Sequence, residues 1–379
     1  MILKFWKKIM WPVSLLLIFG VSYLLLNQFN KETTYVIQQV DENGALLKPQ
    51  TYRSGHVWRN VNYKTNISGY QLTNTSEKLP QRFGFTNETV KLTYQVKNKQ
   101  QAKNQVKNAK YLGAGYAILT ANTVDGFQQD DPNGRINNLR LATSNDGVNW
   151  KMVSANYPEN YVRDPTPIRI KNKLVVLYTG GILTTTDLNK WTNTAYDFDN
   201  SRLKLQYVVS PDMFYDANES LNIVFAATPL NKTNSHLYVT SFSKKRINTG
   251  KQVHKITGLK MAASLSDPHI EYNNGNYYLW ALNTKNQHLE YYKSTQPYSG
   301  YRKLKSVNSL AVNMLGPSVL KVKNQYRLTF NMLNSAEATV SVPYTIKVNN
   351  LNKMKVTAKH MQGLEIPTQI NSIGYEPQK

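Results

Sequence analysis

Residues 163–180 read RDPTPIRIKNKLVVLYTG, and the same cadence returns as SPDMFYDANESLNIVFAA over 210–227, SDPHIEYNNGNYYLWAL over 266–282 and LGPSVLKVKNQYRLTFNM over 315–332. Each copy is a polar turn with a proline, an alternating strand, a second turn and a second, more apolar strand. The prolines Pro165, Pro211, Pro268 and Pro317 are 46, 57 and 49 residues apart. A repeat of that length predicts the four-stranded blades of a β-propeller, because one such sheet cannot bury both its faces alone and must stack on neighbours. A fifth unit is expected upstream, with strands at YAILT (116–120) and LRLAT (139–143). The turns SNDGVNW (144–150) and TTDLNKW (185–191) predict hairpins at the outer strands. The expected fold is therefore all-β, a five-bladed β-propeller over 110–356 followed by a C-terminal tail over 357–379.

Upstream of the repeats, KQQAKNQVKN (99–108) is polar without apolar periodicity and predicts a linker over 99–109. Residues 33–98 predict a small β-module. YVIQQV (35–40) alternates, DENG (41–44) is a hairpin turn, and VKLTYQV (90–96) alternates again. Residues 1–30 carry Lys4, Lys7 and Lys8 before an apolar run from Met10 to Leu26, long enough to span a bilayer and oriented with the N-terminus inside. No small-x-small cleavage pattern follows it directly, so an uncleaved signal anchor is expected, with cleavage as the open alternative. Both readings put the bulk of the chain outside the cell, and the uncleaved anchor makes it a single-pass protein of the cell membrane.

Composition narrows the chemistry. The 379 residues hold no cysteine, which excludes disulfides, a thiolate nucleophile and a cysteine zinc site, and suits exported proteins of Gram-positive bacteria. Lys and Arg number 46 against 23 Asp and Glu, a formal charge of +23. Outside a cell this favours anionic wall polymers or acidic glycans as partners over nucleic acid, although lysines spread over loops also serve solubility. No metal-ligand spacing and no phosphate-cradling glycine loop is present. No cofactor is expected, and the propeller channel leaves room for a structural metal.

In a propeller the same slot of every blade faces one shared funnel, so a repeated residue becomes a ring. Asp164, Asp212 and Asp267 occupy that slot or its neighbour in three repeats. Converging carboxylates move each other's pKa and can divide the work of glycosidic chemistry, one activating water while another stays protonated. The competing reading is that each Asp beside a proline caps a turn.

The ordered set RDP, SPD, SDP and GP, each followed by an alternating strand, resembles glycoside hydrolase family 43 and its five-bladed relatives over about two-thirds of the chain. That resemblance implies hydrolysis of arabinose-, xylose- or galactose-type linkages by an inverting mechanism. It puts the general base on Asp164, a pKa-modulating acid on Asp267 and a substrate-side position on Asp212; Arg163 and His269, beside these acids in the chain, are further candidate substrate-binding residues. His269 also reads as a packed histidine. One departure bears on activity: where the family has a general-acid Glu before Gly-Pro, this chain has Leu315. Glu271, Glu290 and Glu337 are substitutes by proximity only, and each reads first as an exposed strand residue. A propeller that binds glycans without cleaving them is therefore the alternative function. DDPNG (130–134), which looks like a nucleophile motif of fructan-cleaving propellers, sits too close to RDP and reads as a turn.

Over 33–98, YVIQQVDENG, ISGYQL (67–72) and FTNETVKLTYQVK (85–97) together resemble the mucin-binding-protein (MucBP) repeat. The resemblance implies a β-grasp-like spacer or adhesive module. Polysaccharides or glycoprotein glycans are the expected partners of the whole chain, with the membrane engaged by the N-terminal helix.

Overall fold

The computed structural model describes residues 30–48, 50–73, 79–120, 135–158, 162–198, 202–259, 264–286, 288–304, 314–333, 341–352, 354, 362–363 and 374–377, with Ser22, Asn27 and Gln28 besides. The apolar run at 10–26 lies almost wholly outside these residues, as do DDPNG and Glu337. Among the described residues no helix is long and apolar enough to cross a membrane. The chain divides into two compact units, Met1–Gln95 and Val96–Lys379.

The first unit holds one mixed sheet. Strands β1 (Glu32–Asp41), β2 (Thr51–His56), β3 (Tyr70–Leu72) and β4 (Glu88–Val96) lie in the order β2-β1-β4-β3, with β1 antiparallel to β2 and parallel to β4. The alternation read in VKLTYQV is the reason for its burial: Val90, Leu92, Tyr94 and Val96 turn inward while Lys91 faces water. The DENG turn is held by Asp41, whose Oδ1 accepts the amides of Asn43 and Ala45, both at 2.9 Å. Gly55 in β2 leaves room for the ring of Phe83, which a Cβ would approach to 2.4 Å. Phe83 in turn meets Tyr35 edge to face, centroids 5.0 Å apart.

The second unit opens with a helix rather than a linker. Helix α1 (Lys99–Asn108) is capped by Asn98, whose side chain accepts the Gln101 amide, and it buries Ala102 and Val106 at i, i+4. Two small apolar positions suffice for this face because the flanking Ala109 and Leu112 extend the same cluster. Arg169 closes the C-terminal end, one guanidinium nitrogen donating to the carbonyls of Val106 and Lys107, both at 2.5 Å.

The other twenty strands among the described residues form four consecutive sheets plus one composite. The composite is β5 (Tyr111–Thr120), β6 (Arg135–Ser144) and β7 (Lys151–Met152); the next is β8 (Thr166–Ile170), β9 (Lys173–Tyr178), β10 (Gly181–Thr185) and β11 (Thr192–Thr194). Then follow β12 (Leu205–Tyr215), β13 (Leu221–Pro229), β14 (His236–Ser243) and β15 (Asn248–Lys255), and β16 (Leu265–Asn273), β17 (Asn276–Asn283), β18 (His288–Ser294) and β19 (Arg302–Lys303). The last is β20 (Met314–Val322), β21 (Gln325–Leu333), β22 (Ser341–Val348) and β23 (Gln362–Gly363). Strand β24 (Gly374–Pro377) comes from the region expected as a tail and pairs antiparallel with β5, giving the composite the order β24-β5-β6-β7. Among the described residues all five sheets are therefore four-stranded and antiparallel.

Their packing closes a ring. The run KLVVLY in β9 is buried from Leu174 to Tyr178 because successive side chains serve different neighbours. Leu174, Val176 and Tyr178 join Leu112, Leu139 and Leu141 of the composite sheet; Val175 and Leu177 join Ile223 and Phe225 of β13. The same division recurs in β13, where Val224 and Ala226 face β17, and in β17, where Leu279 faces back while Tyr278 and Trp280 face Leu328 and Phe330 of β21. Leu320 of β20 returns to Tyr111, Ala142 and Trp150 of the composite sheet. First strands touch in the matching cyclic order, β8, β12, β16, β20, β24 and again β8. This is the arrangement of a β-propeller. The two tryptophan turns do connect outer strands, β6 to β7 and β10 to β11, and each is organised by an Asp, Asp146 or Asp187, accepting two backbone amides.

Candidate active site

The four proline turns meet in one pocket, lined by Asp164, Thr166, Ser210, Asp212, Asp267, Gly316 and Ser318 together with the prolines. The local cause is a shared backbone device. The residue before each proline has left-handed φ: 49° at Asp164, 52° at Ser210, 47° at Asp267 and 54° at Gly316. Proline cannot donate to the ladder, and the ladders of β12, β16 and β20 skip register there. The bulge turns the preceding side chain toward the axis. Three non-glycine residues held at positive φ represent local strain of about 1–3 kcal/mol each, of the kind concentrated at functional sites.

Two tiers result. The upper tier is the set before the prolines. Ser210 Oγ lies 3.1 Å from Asp164 Oδ2 and 2.6 Å from Asp267 Oδ1, so three sheets converge on one hydroxyl. The Ser210 amide donates to Thr179 Oγ1 at 2.9 Å, and Thr179 Oγ1 donates to Asp164 Oδ2 at 2.8 Å. Asp267 Oδ2 accepts a long bond from the Gly316 amide at 3.4 Å. Burial, with the charge of Asp164 added, pushes the Asp267 carboxyl up to about 6 against the opposing pull of Ser210, Gly316 and Arg163. Arg163 is exposed at the turn and acts on the pocket through its charge.

The lower tier is the set after the prolines, and it ties sheets together. Thr166 Oγ1 donates to the Pro211 carbonyl at 3.1 Å. His269 Nε2 accepts the Val319 amide at 2.9 Å, which leaves Nδ1 to carry the proton toward Asp212 Oδ2 at 2.5 Å. Asp212 Oδ1 accepts the Met213 amide at 2.8 Å. Both residues are buried, so their polar atoms are spent on three neighbouring sheets.

The two residues expected to be catalytic, Asp164 and Asp267, are thus brought together. Of those expected on the substrate side, Arg163 stands at the mouth, whereas Asp212 and His269 are engaged with each other. Leu315 lies in β20 opposite Asn331, next to the pocket's Gly316. None of the substitute acids lines the pocket among the described residues. Glu290 is buried in its own sheet; burial alone would raise its carboxyl, but donors from Tyr292, Asn283 and Lys303 hold it low. Glu271 is raised by burial to about 7, with Lys321 pulling the other way. Sequence reading passed over Thr179 and Ser210 as site residues, and also Tyr196. Burial, above all, and the nearby Tyr178 and Asp164 push the Tyr196 phenol far up, so it stays a donor, to the Tyr178 carbonyl. Among the described residues no cluster of His, Asp and Glu is arranged to hold a metal ion.

No family model matches the sequence, and no curated protein does. The chain's structural neighbours include family-43 glycoside hydrolases. A thermostable family-43 glycoside hydrolase aligns over 70% of this chain and 96% of its own, with 11% identity and a TM-score of 0.45. A Bacillus subtilis arabinanase aligns over 63% and 90%, with 15% identity and a TM-score of 0.43. The RS223 β-xylosidase aligns over 67% and 98%, with 11% identity and a TM-score of 0.46.

Proposed function

We propose that the second unit is a five-bladed, glycoside-hydrolase-like propeller that acts on extracellular polysaccharide with arabinose-, xylose- or galactose-type linkages. The observation that carries this reading is the convergence of Asp164 and Asp267 on Ser210 at the mouth of the ring. Asp164 is the base. Thr179 and Ser210 engage its Oδ2, and no donor among the described residues engages Oδ1, which is left to take a proton from an attacking water. Asp267, held near 6, tunes that base. The two cannot be the paired acid and base of an inverting enzyme. Carboxylates that share one hydroxyl stand closer than the ~6.5–9.5 Å such a pair needs to admit water and sugar. The proton for the leaving group must come from a third residue.

Leu315 favours a second reading, in which the funnel binds glycans without turnover. The first unit, with its MucBP-like motifs, then serves as a stalk or second adhesive element, and residues 1–30 anchor the protein to the membrane with both units outside. The positive charge suits anionic wall polymers as neighbours. Incubating the exported part with aryl furanosides, xylosides and plant or wall polysaccharides, beside Asp164→Ala, decides between the readings. Activity that the substitution abolishes supports hydrolysis; no activity above the variant, with retention on a glycan array, leaves binding.

A further inference from the structure

Ser210 has one hydroxyl hydrogen and two carboxylate oxygens within hydrogen-bonding reach, at 3.1 and 2.6 Å. It can donate to only one of them. Were both carboxylates charged, the other contact would set two electron-rich oxygens against each other. Thr179 resolves the direction. Its oxygen is already an acceptor for the Ser210 amide, so its hydrogen is directed to Asp164 Oδ2. Asp164 Oδ2 is an acceptor twice over and is the charged end. Asp267 has no comparable support, only the long bond from Gly316.

We infer that Ser210 is a positioning residue that makes Asp164 and Asp267 share a single proton, its hydroxyl accepting from Asp267 Oδ1 and donating to Asp164 Oδ2. Below about pH 6 the arrangement keeps Asp267 neutral and Asp164 charged. Burial of Asp267 and the nearby negative charge act in the same direction, and Arg163 acts against them. The other titratable groups facing the site are Tyr196, which stays protonated, and the Asp212–His269 pair, which is closed on itself. This deepens the function proposed above and rests on it for the role of Asp164, but its test needs no turnover.

The test uses the full chain with aspartate labelled by carbon-13 at the side-chain carboxyl, titrated by NMR. Ser210→Gly is the variant of choice, since glycine accepts the φ of 52° and removes only the hydroxyl side chain. Ser210→Ala is its control for backbone freedom. The wild type is expected to show two coupled steps well apart, the upper one lost in Asp267→Asn. In both Ser210 variants the gap between the steps is expected to narrow by about one pH unit or more, tenfold in proton affinity, because the singly protonated pair has lost its bridge. A gap that stays put in a folded Ser210→Gly protein would overturn the inference, as would an upper step that survives in Asp267→Asn. If the chain cleaves no glycan but the gap narrows, the shared proton stands and only the hydrolytic function fails.

Discussion

The imidazole of His269 meets the carboxylate of Asp212 at 2.5 Å across two sheets while its far nitrogen accepts an amide from a third. A single side chain thus fixes the relative height of β12, β16 and β20, and with it the height of the carboxylates one tier above. Removing either partner leaves a buried polar group unsatisfied. Asp212→Ala and His269→Ala are each expected to destabilise the second unit by about 2–5 kcal/mol. The double variant should cost less than the two combined. Thermal unfolding of all four proteins checks this, and additive losses would mean the pair is not coupled.

Asp267 sets a pH dependence with a definite sign. Its folded carboxyl lies near 6 against an ordinary 3.8, so between those values the native state holds more protons than the unfolded chain. Stability from this group is fully present below about pH 4, falls as pH rises and stays lost above 6. Asp267→Asn removes the charge and is expected to unfold at higher temperature at pH 7–8, by an amount on the order of 1–3 kcal/mol, with a flatter profile between pH 4 and 6. Melting curves across pH 3–8 supply the check.

Leu315→Glu puts a carboxyl where the resemblance to family 43 expects the acid. If the pocket is otherwise competent, hydrolysis of an aryl furanoside or xyloside should rise by about 10²–10⁴. An inert but folded product would mean that the funnel has changed beyond its acid and would favour glycan binding.

Helix α1 belongs to the second unit rather than to a spacer, since Ala102 and Val106 are buried with Leu112 and Leu139. Val106→Asp is expected to destabilise by ~3 kcal/mol or more, whereas the exposed Lys103→Ala should be close to neutral. Equal melting points for the two variants would return the segment to linker status.

The repeat was legible because alternation and the proline turns are local signals, and the clusters at Leu174 to Tyr178 follow directly from an unbroken apolar run. Convergence of Asp164 with Asp267 was legible for the same reason: one slot per repeat. What escaped was non-local. Ser210 was read as part of a motif in which Asp212 carried the chemistry, because nothing in the chain says which side of a proline faces the axis; the left-handed φ decides that. Thr179 reaches Asp164 through a β-strand pairing that no periodicity announces. The helix was missed since only two of its ten residues are apolar and buried. Strand β24 was missed because four residues, Gly374–Pro377, carry too little pattern to read.

That last strand has a bearing on how the molecule is made. β5 is among the first parts of the second unit to be synthesised, yet the backbone groups on its inner edge wait for β24, a partner far downstream in the chain. Until then the growing polypeptide carries an open edge, ready to pair with any other strand in reach. Chains cut short before residue 374 keep that edge for good. They are expected to aggregate, or to borrow the missing strand from a second copy, so closure of this sheet waits on synthesis past residue 374.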